Sequence, residues 1–327
     1  MRHLPLLLLL SAALPAQLSL KLAPVADATT NADQPTTNQG TAAELSFGKD
    51  FTSTPSFRVW FTRGHVRFDL STITRPAPAR ATFWWYQTRS NAAGCLSVAT
   101  HRVTQAWSES TVTWATNPAF DPTAVSKTCV GDSFALGWKQ FDVTPLVRGW
   151  LTNQYPNFGF VIRDDGEITA GAARPGYGAS REATDPSRQP YLELSWFVNY
   201  GTGCALTTPP SLTVASGTPS LGSLFVLAAN GMQAAAPTIL LLGNSDKVWG
   251  SVPLPYTLVI PSPTNCRILA SGEAIFAGAA GGNGTALFPL AIPNNPVLRG
   301  VQLYHQAASL DAQQQLALTN AGTEVIW

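Results

Sequence analysis

The feature that most restricts this chain is a two-residue alternation of apolar and polar side chains, repeated in short runs broken by Gly, Pro, Asn and Asp. In His65-Val66-Arg67-Phe68-Asp69-Leu70 the apolar Val66, Phe68 and Leu70 alternate with His65, Arg67 and Asp69. Successive side chains of an extended strand point to opposite faces, so this run makes a strand with one buried and one polar face. Thr82 to Gln87, Leu96 to Val103, Phe158 to Arg163 and Tyr191 to Trp196 also read as strands. Asn-Pro, Asp-Pro and Asp-Asp-Gly-Glu stretches supply the turns between them. Charged residues make up only 12% of the chain while Gly (26) and Pro (25) are plentiful, which favours strands and tight turns over helices. One helical turn is expected over Thr144 to Trp150, with Thr144 as cap and Pro145 in the first helical position. The expected fold class is all-β.

At 327 residues the chain holds more than one domain of ordinary size. Eight of its ten Trp residues (Trp60, Trp84, Trp85, Trp107, Trp114, Trp138, Trp150, Trp196) precede residue 198, together with most of the Arg. After that point the only basic residues are Lys247, Arg267 and Arg299, and the only acidic ones Asp246, Glu273, Asp311 and Glu324. Such a shift marks a domain boundary, giving residues 17–197 and 198–327, joined by the short Asn199-Tyr200-Gly201-Thr202-Gly203. In the second part Leu224 to Ala229, Thr238 to Leu242, Tyr256 to Ile260, Ala286 to Leu290, Val301 to Gln306 and Gln315 to Thr319 make the strand count of a small sandwich.

Residues 1–16 read as a secretory signal: Arg2 and His3, an apolar run from Leu4 to Leu14, then Pro15 and Ala16, so the mature chain would begin near Gln17. No later apolar run approaches the ~20 residues of a membrane-spanning helix. In an oxidising compartment the four cysteines, Cys95, Cys129, Cys204 and Cys266, point to two disulfides. Three pairings are possible; with the boundary near residue 198, the local pairing Cys95–Cys129 and Cys204–Cys266 gives each domain one staple. A formal charge of +1 provides no broad basic field, which argues against nucleic acid as a partner.

An ordered set of motifs runs through the first part. It comprises Ala26-Asp27-Ala28, Thr36 to Gly40, Val66 to Ser71, Trp107 to Trp114, Phe141 to Thr144, Leu146 to Trp150, Asn157 to Phe160, Ser180-Arg181-Glu182 and Arg188 to Leu192. In this set the first part resembles the DNRLRE family, a jelly-roll module of secreted proteins related to carbohydrate-binding module family 96. The second part resembles a C-terminal module of many secreted bacterial proteins, through Pro253-Leu254-Pro255, Cys266, Ile292-Pro293-Asn294 and Gln302 to Ala307. The first resemblance implies a jelly-roll β-sandwich, followed here by a smaller C-terminal sandwich. It also implies a polysaccharide ligand, with acidic, uronate-type glycans among the candidates.

A sugar site on a sandwich needs flat aromatic faces for the apolar side of pyranose rings and planar polar groups for hydroxyls or carboxylates. In Thr82-Phe83-Trp84-Trp85-Tyr86, alternation puts Phe83 and Trp85 on one face and Trp84 and Tyr86 on the other, so one pair can serve as platform and the other as core. Arg67, with Arg58, Arg63 and Arg163, could form a patch for an acidic glycan; the plainer reading pairs Arg67 with Asp69 or a cross-strand acid. Arg181 and Glu182 read as a structural clamp at the sandwich rim, and Glu109 and Asp142 as acceptors that fix loops. Asp27, Asp142 and Glu182 are candidate ligands for a structural calcium ion, whose preferred donors are hard oxygens. His65, His101 and His305 read as satisfied sheet residues.

No Gly-x-Ser-x-Gly elbow, His-Glu-x-x-His helix, phosphate-cradling loop or dinucleotide fingerprint occurs, and Asp164-Asp165-Gly166-Glu167 is first a hairpin turn. The expected function is therefore non-catalytic: an extracellular polysaccharide binder or, alternatively, an adhesive surface or matrix protein without a small ligand.

Overall fold

The computed structural model describes residues 18–52, 58–89, 96–130, 136–165, 167, 175–205, 208–260, 265–310 and 315–327. The expected signal at residues 1–16 and Cys95 lie outside the described residues. Two compact units are present, one of residues Ser19–Trp196 and another that includes Phe197–Trp327. Both are built of antiparallel strands and the molecule is all-β. Among the described residues no helix is long and apolar enough to cross a membrane.

The first unit runs through β1 (Ser19–Leu22), β2 (Ala26–Asn31), β3 (Glu44–Thr52), β4 (Arg58–Arg67), β5 (Arg80–Arg89), β6 (Leu96–Arg102), β7 (Ser126–Val130) and β8 (Gly137–Asp142). Helix α1 (Thr144–Leu151), β9 (Phe160–Asp164), β10 (Gly176–Ala179) and β11 (Tyr191–Ser195) complete it. One layer contains β1, β11, β5 and β10, with β8 on the other side of β5; the second contains β4, β9, β6 and β7, with β2 beside β4. Strand β3 belongs to both, pairing β10 from Glu44 to Phe47 and β4 from Gly48 to Thr52. The change of partner falls at Gly48, whose φ of 121° is a backbone conformation that L side chains rarely adopt.

Alternation sets what lies between the layers. Phe83, Trp85 and Phe141 point inward, fully buried, and Phe83 meets Phe68 at 6.0 Å and Phe160 at 5.2 Å between ring centroids. Each such side chain contributes roughly 1.5–3 kcal/mol by leaving water. The outer face of the second layer is covered as well. Trp107 and Val112, from the segment after β6, pack with Ala26, Ala28 and Val161. Asn38 holds that segment by donating to the carbonyls of Glu109 (2.8 Å) and Val112 (2.7 Å). Gly40 sits so close that a Cβ there would lie 2.1 Å from the Glu109 carbonyl oxygen.

Two local expectations are corrected. Thr144 does not cap α1; Val143 holds the cap position, without a side-chain bond. The Thr144 hydroxyl instead accepts from the Ala81 N–H at 2.9 Å, because the helix start lies against the beginning of β5. The strand expected over His65–Leu70 ends at Arg67, and Phe68 leaves the ladder to give its carbonyl to the Asn157 amide at 2.8 Å.

In the second unit a five-stranded sheet is ordered β12 (Phe197–Tyr200), β23 (Leu316–Val325), β22 (Gln302–Leu310), β15 (Pro237–Gly243), β20 (Ala274–Ala279). A three-stranded sheet is ordered β13 (Ser211–Ser216), β14 (Leu224–Asn230), β21 (Ala286–Ala291). Two short ladders, β16 (Val248–Trp249) with β17 (Val252–Pro253) and β18 (Tyr256–Thr257) with β19 (Arg267–Ile268), lie between β15 and β20 in sequence. Leu212, Phe225, Leu227, Leu240, Phe288 and Ile326 form the core. Gln306 ties the segment after Cys266 to the sheet: its carbonyl accepts from Leu269 N–H (2.9 Å) and its amide donates to the carbonyls of Arg267 (3.0 Å) and Thr319 (2.9 Å). Beside it His305 and Glu324, both fully buried, pair with one another. Cys204 and Cys266 form a disulfide. Cys129 is also disulfide-bonded, while Cys95, its expected partner, lies outside the described residues.

Candidate functional site

The outer face of the first layer carries a group of aromatic side chains brought together by strand register. Across β1, β11, β5 and β8 the partners run Lys21, Glu193, Thr82, Asp142 in one row and Tyr191, Trp84, Gln140 in the next. Tyr86 then faces Trp138. Because Phe83, Trp85 and Phe141 point into the core, Trp84, Tyr86, Trp138 and Tyr191 point outward. Trp84 and Tyr191 lie nearly parallel, 19° apart with centroids at 5.9 Å. Trp138 stands at 86° to Trp84 and 88° to Tyr86, and is 37% exposed. The result is a ridged corner with ring faces in two orientations.

Polar groups fix and flank this corner. The Trp84 indole N–H donates to Glu193 at 3.0 Å. Lys21 Nζ lies 4.3 Å from the centroid of Tyr191 and the Arg188 guanidinium 5.1 Å from that of Tyr86. Arg188 also pairs with Asp185 at 3.0 Å. Beyond Tyr86 along β5, Thr88, Glu44, Asp185 and Arg188 line a hollow of about 300 Å³. Flat apolar rings beside ammonium, guanidinium and carboxylate groups are what a chain of pyranose rings can stack on and hydrogen-bond to.

Of the four arginines expected to form a patch, Arg63 and Arg163 come together, on an internal acid. Arg63 grips both oxygens of Glu167 at 2.6 and 2.7 Å, and Arg163 reaches the same carboxylate at 3.2 Å. Both are largely buried against Phe120, with Arg63 also 4.4 Å from the Trp114 centroid, so they serve an internal acid. Arg58 pairs with Asp33. Arg67 does not pair with Asp69; its guanidinium lies 5.6 Å from the Trp107 centroid and 3.4 Å from the Trp107 carbonyl. Asp69 accepts from the Ser71 N–H at 2.9 Å, and bonds to Ser71 hold its carboxyl below the ordinary range. His65 is pushed down to about 4 by burial and donates from Nε2 to the Asn117 amide oxygen at 3.0 Å, while His101, also lowered by burial, meets the Asp121 carbonyl. Both are sheet residues under the covering segment.

Asp27, Glu109 and Glu182 do converge, with carboxylate oxygens within 4.8 Å of one another. Asp142 is not among them: it is exposed and accepts from the Thr144 N–H at 2.9 Å. Glu109 accepts from the Asp27 N–H at 2.8 Å and from Arg181 at 3.3 Å, and Arg181 binds Glu182 at 2.9 Å while its own N–H goes to Asp27 at 2.9 Å. Burial first, then the charges of Glu182 and Glu109, push Asp27 up to about 8. Arg181 supplies a counter-charge to these carboxyl groups, and one buried oxygen of Glu182 has no hydrogen-bond partner among the described residues. The bonds match the clamp expected of Arg181 and Glu182, with Glu109 in the loop-fixing role expected of it.

Sequence reasoning named Trp84 and Tyr86 but missed Trp138, Tyr191, Lys21 and Arg188. The alternation Trp138-Lys139-Gln140-Phe141 was a usable signal for Trp138. That it faces Tyr86 is a long-range fact of register.

No curated protein matches the chain. Among solved structures it is similar to the tetra-tandem repeat in the extending region of a large adhesion protein, at 9% identity and a TM-score of 0.22, over 80% of this chain and 44% of that one. It is also similar to trypsin-activated alpha-2-macroglobulin from Escherichia coli, at 8% identity and a TM-score of 0.22, over 93% of this chain and 20% of that one. The chain thus spans less than half the length of either, and likeness at this level says nothing about function. The family model of carbohydrate-binding module family 96 matches residues 19–195, more than half of the chain. With that match over the whole of the unit that carries the aromatic corner, the chain belongs to carbohydrate-binding module family 96.

Proposed function

We propose that the first unit binds an extracellular polysaccharide at the corner formed by Trp84, Tyr86, Trp138 and Tyr191, and that its ligand is an acidic, uronate-type glycan. The observation that carries the reading is Trp138, a large ring left 37% exposed at right angles to two others on the outside of a sheet whose core is already complete. Ring stacking holds the sugar, and Lys21 and Arg188 at the margins meet its carboxylates. The Cys204–Cys266 disulfide supports work outside the cytoplasm, where such bonds persist. Affinity electrophoresis in gels containing a polyuronate or a neutral glucan tests this. The polyuronate should retard the protein, and Trp138→Ala should weaken retardation by roughly tenfold or more. Equal mobility in every gel, or full retardation of the variant, would refute it.

One observation favours the adhesive alternative. Strand β20 is an edge strand, Ala274 to Ala279, with no charge and five of its six residues exposed. Unprotected edges of that kind add strands from other chains. Under this reading Phe276→Lys would abolish self-association measured by sedimentation, and a protein monomeric at high concentration would exclude it.

A further inference from the structure

The segments that follow β4 and α1 enclose a groove of about 760 Å³ in the first unit that shares no residue with the aromatic corner. Arg67, Asp69 and Ser71 line one wall, and Asn153 and Tyr155 line the other; Trp150 also borders it. The walls are fixed to one another. The Asn157 amide donates to the Phe68 carbonyl at 2.8 Å while its oxygen accepts from the Gly159 N–H at 3.1 Å. The Tyr155 hydroxyl donates to the Pro145 carbonyl at 3.0 Å, and the Arg102 guanidinium lies 4.3 Å from its ring centroid. The groove is therefore shaped before any ligand arrives, and its volume lies within the range of small-molecule sites.

The charges in it select a class of ligand. Arg67 has no carboxylate partner among the described residues, and Asp69, two positions on, is exposed and bonded to the N–H and side chain of Ser71. An anion would meet Asp69 and the carboxyl end of α1, whose last turn at Trp150 and Leu151 borders the groove and carries partial negative charge. A cation would meet Arg67. An uncharged molecule with neighbouring hydroxyls suits both groups, since each hydroxyl can accept from the guanidinium and donate to the carboxylate. Tyr155 adds an aromatic wall.

We propose that this groove is a second saccharide-binding site, that it takes a neutral sugar, and that Arg67 and Asp69 hold adjacent hydroxyls of that sugar. The site is independent of the aromatic corner, and either can stand without the other.

Isothermal titration of the full chain with cellohexaose, xylohexaose and mannohexaose tests it, using Trp138→Ala to remove the corner and Asp69→Asn and Arg67→Lys to alter the groove. Asp69→Asn keeps an oxygen for the Ser71 N–H, so the turn survives, and thermal unfolding confirms that each variant is folded. At least one neutral hexasaccharide should still bind the Trp138→Ala protein. Asp69→Asn and Arg67→Lys should each weaken that binding by about tenfold, the weight of one charge-assisted hydrogen bond, while leaving polyuronate retardation unchanged. Loss of all neutral-sugar binding with Trp138→Ala would overturn the groove and leave the corner as the site. So would unchanged affinity in both groove variants. Neutral binding that persists without any polyuronate retardation would leave the groove and remove the acidic ligand of the corner.

Discussion

At the scale of single residues, three buried ionisable groups set measurable properties. His305 and Glu324 are each fully buried, and removing one partner strands the other in the core. Glu324→Ala is expected to destabilise the second unit by roughly 3–5 kcal/mol, read by urea unfolding, whereas exchanging both residues for apolar ones of similar volume should recover most of the loss. Asp27 behaves in the opposite sense to a salt-bridged acid. Burial raises its folded pKa to about 8 from the ordinary 3.8, so the folded state binds the extra proton between those values. Stability from this group is present at low pH and falls as pH rises from about 4 to about 8. Unfolding midpoints of the first unit should therefore drop between pH 5 and pH 9, and Asp27→Asn should flatten that slope; equal slopes in both proteins would show that Asp27 is not the titrating group. The His305–Glu324 pair was not readable in advance, and of the acids around Asp27 only Glu182 had been grouped with it. A histidine and a glutamate nineteen residues apart, or acids 82 and 155 positions apart, meet only through strand register and loop placement.

At the scale of elements, alternation found what it could physically report. Strand β11 and the outer half of β5 have two unlike faces and stood out as such, whereas β6 and β9 were read as strands although Val98 to His101 and Phe160 to Ile162 are buried on both faces. Strand β2 did not stand out, because Ala26 to Thr30 are buried on both sides, beneath the segment that carries Trp107 and Val112. Strand β3 did not either, since it changes layers midway and its pattern breaks at Gly48. The same logic explains the candidate site. Trp84 and Tyr86 were legible because their own neighbours, Phe83 and Trp85, claim the core, while Trp138 and Tyr191 reach them from strands distant in sequence. Arginine was misleading for the reverse reason: Arg63 and Arg163 look like surface cations along a strand, and only the fold reveals Glu167 between them. Gly48→Ala is expected to cost roughly 1–3 kcal/mol in thermal unfolding of the first unit, because alanine rarely adopts a φ of 121°. A neutral outcome would mean that β3 can cross between layers with another backbone conformation.

For the whole molecule, each unit has its own means of staying folded. The Cys204–Cys266 bond spans 62 positions, and by loop entropy it contributes about 4 kcal/mol to the second unit. Unfolding in the presence of reductant should lower the midpoint of that unit, and the same midpoint with and without reductant would contradict this. The first unit has a different provision in β3, a single stretch of backbone hydrogen-bonded into the front sheet at one end and the back sheet at the other. A polymer held at the proposed corner would thus pull on a layer that shares this strand with the other, and the module would have to shear a common thread before its faces could be peeled apart.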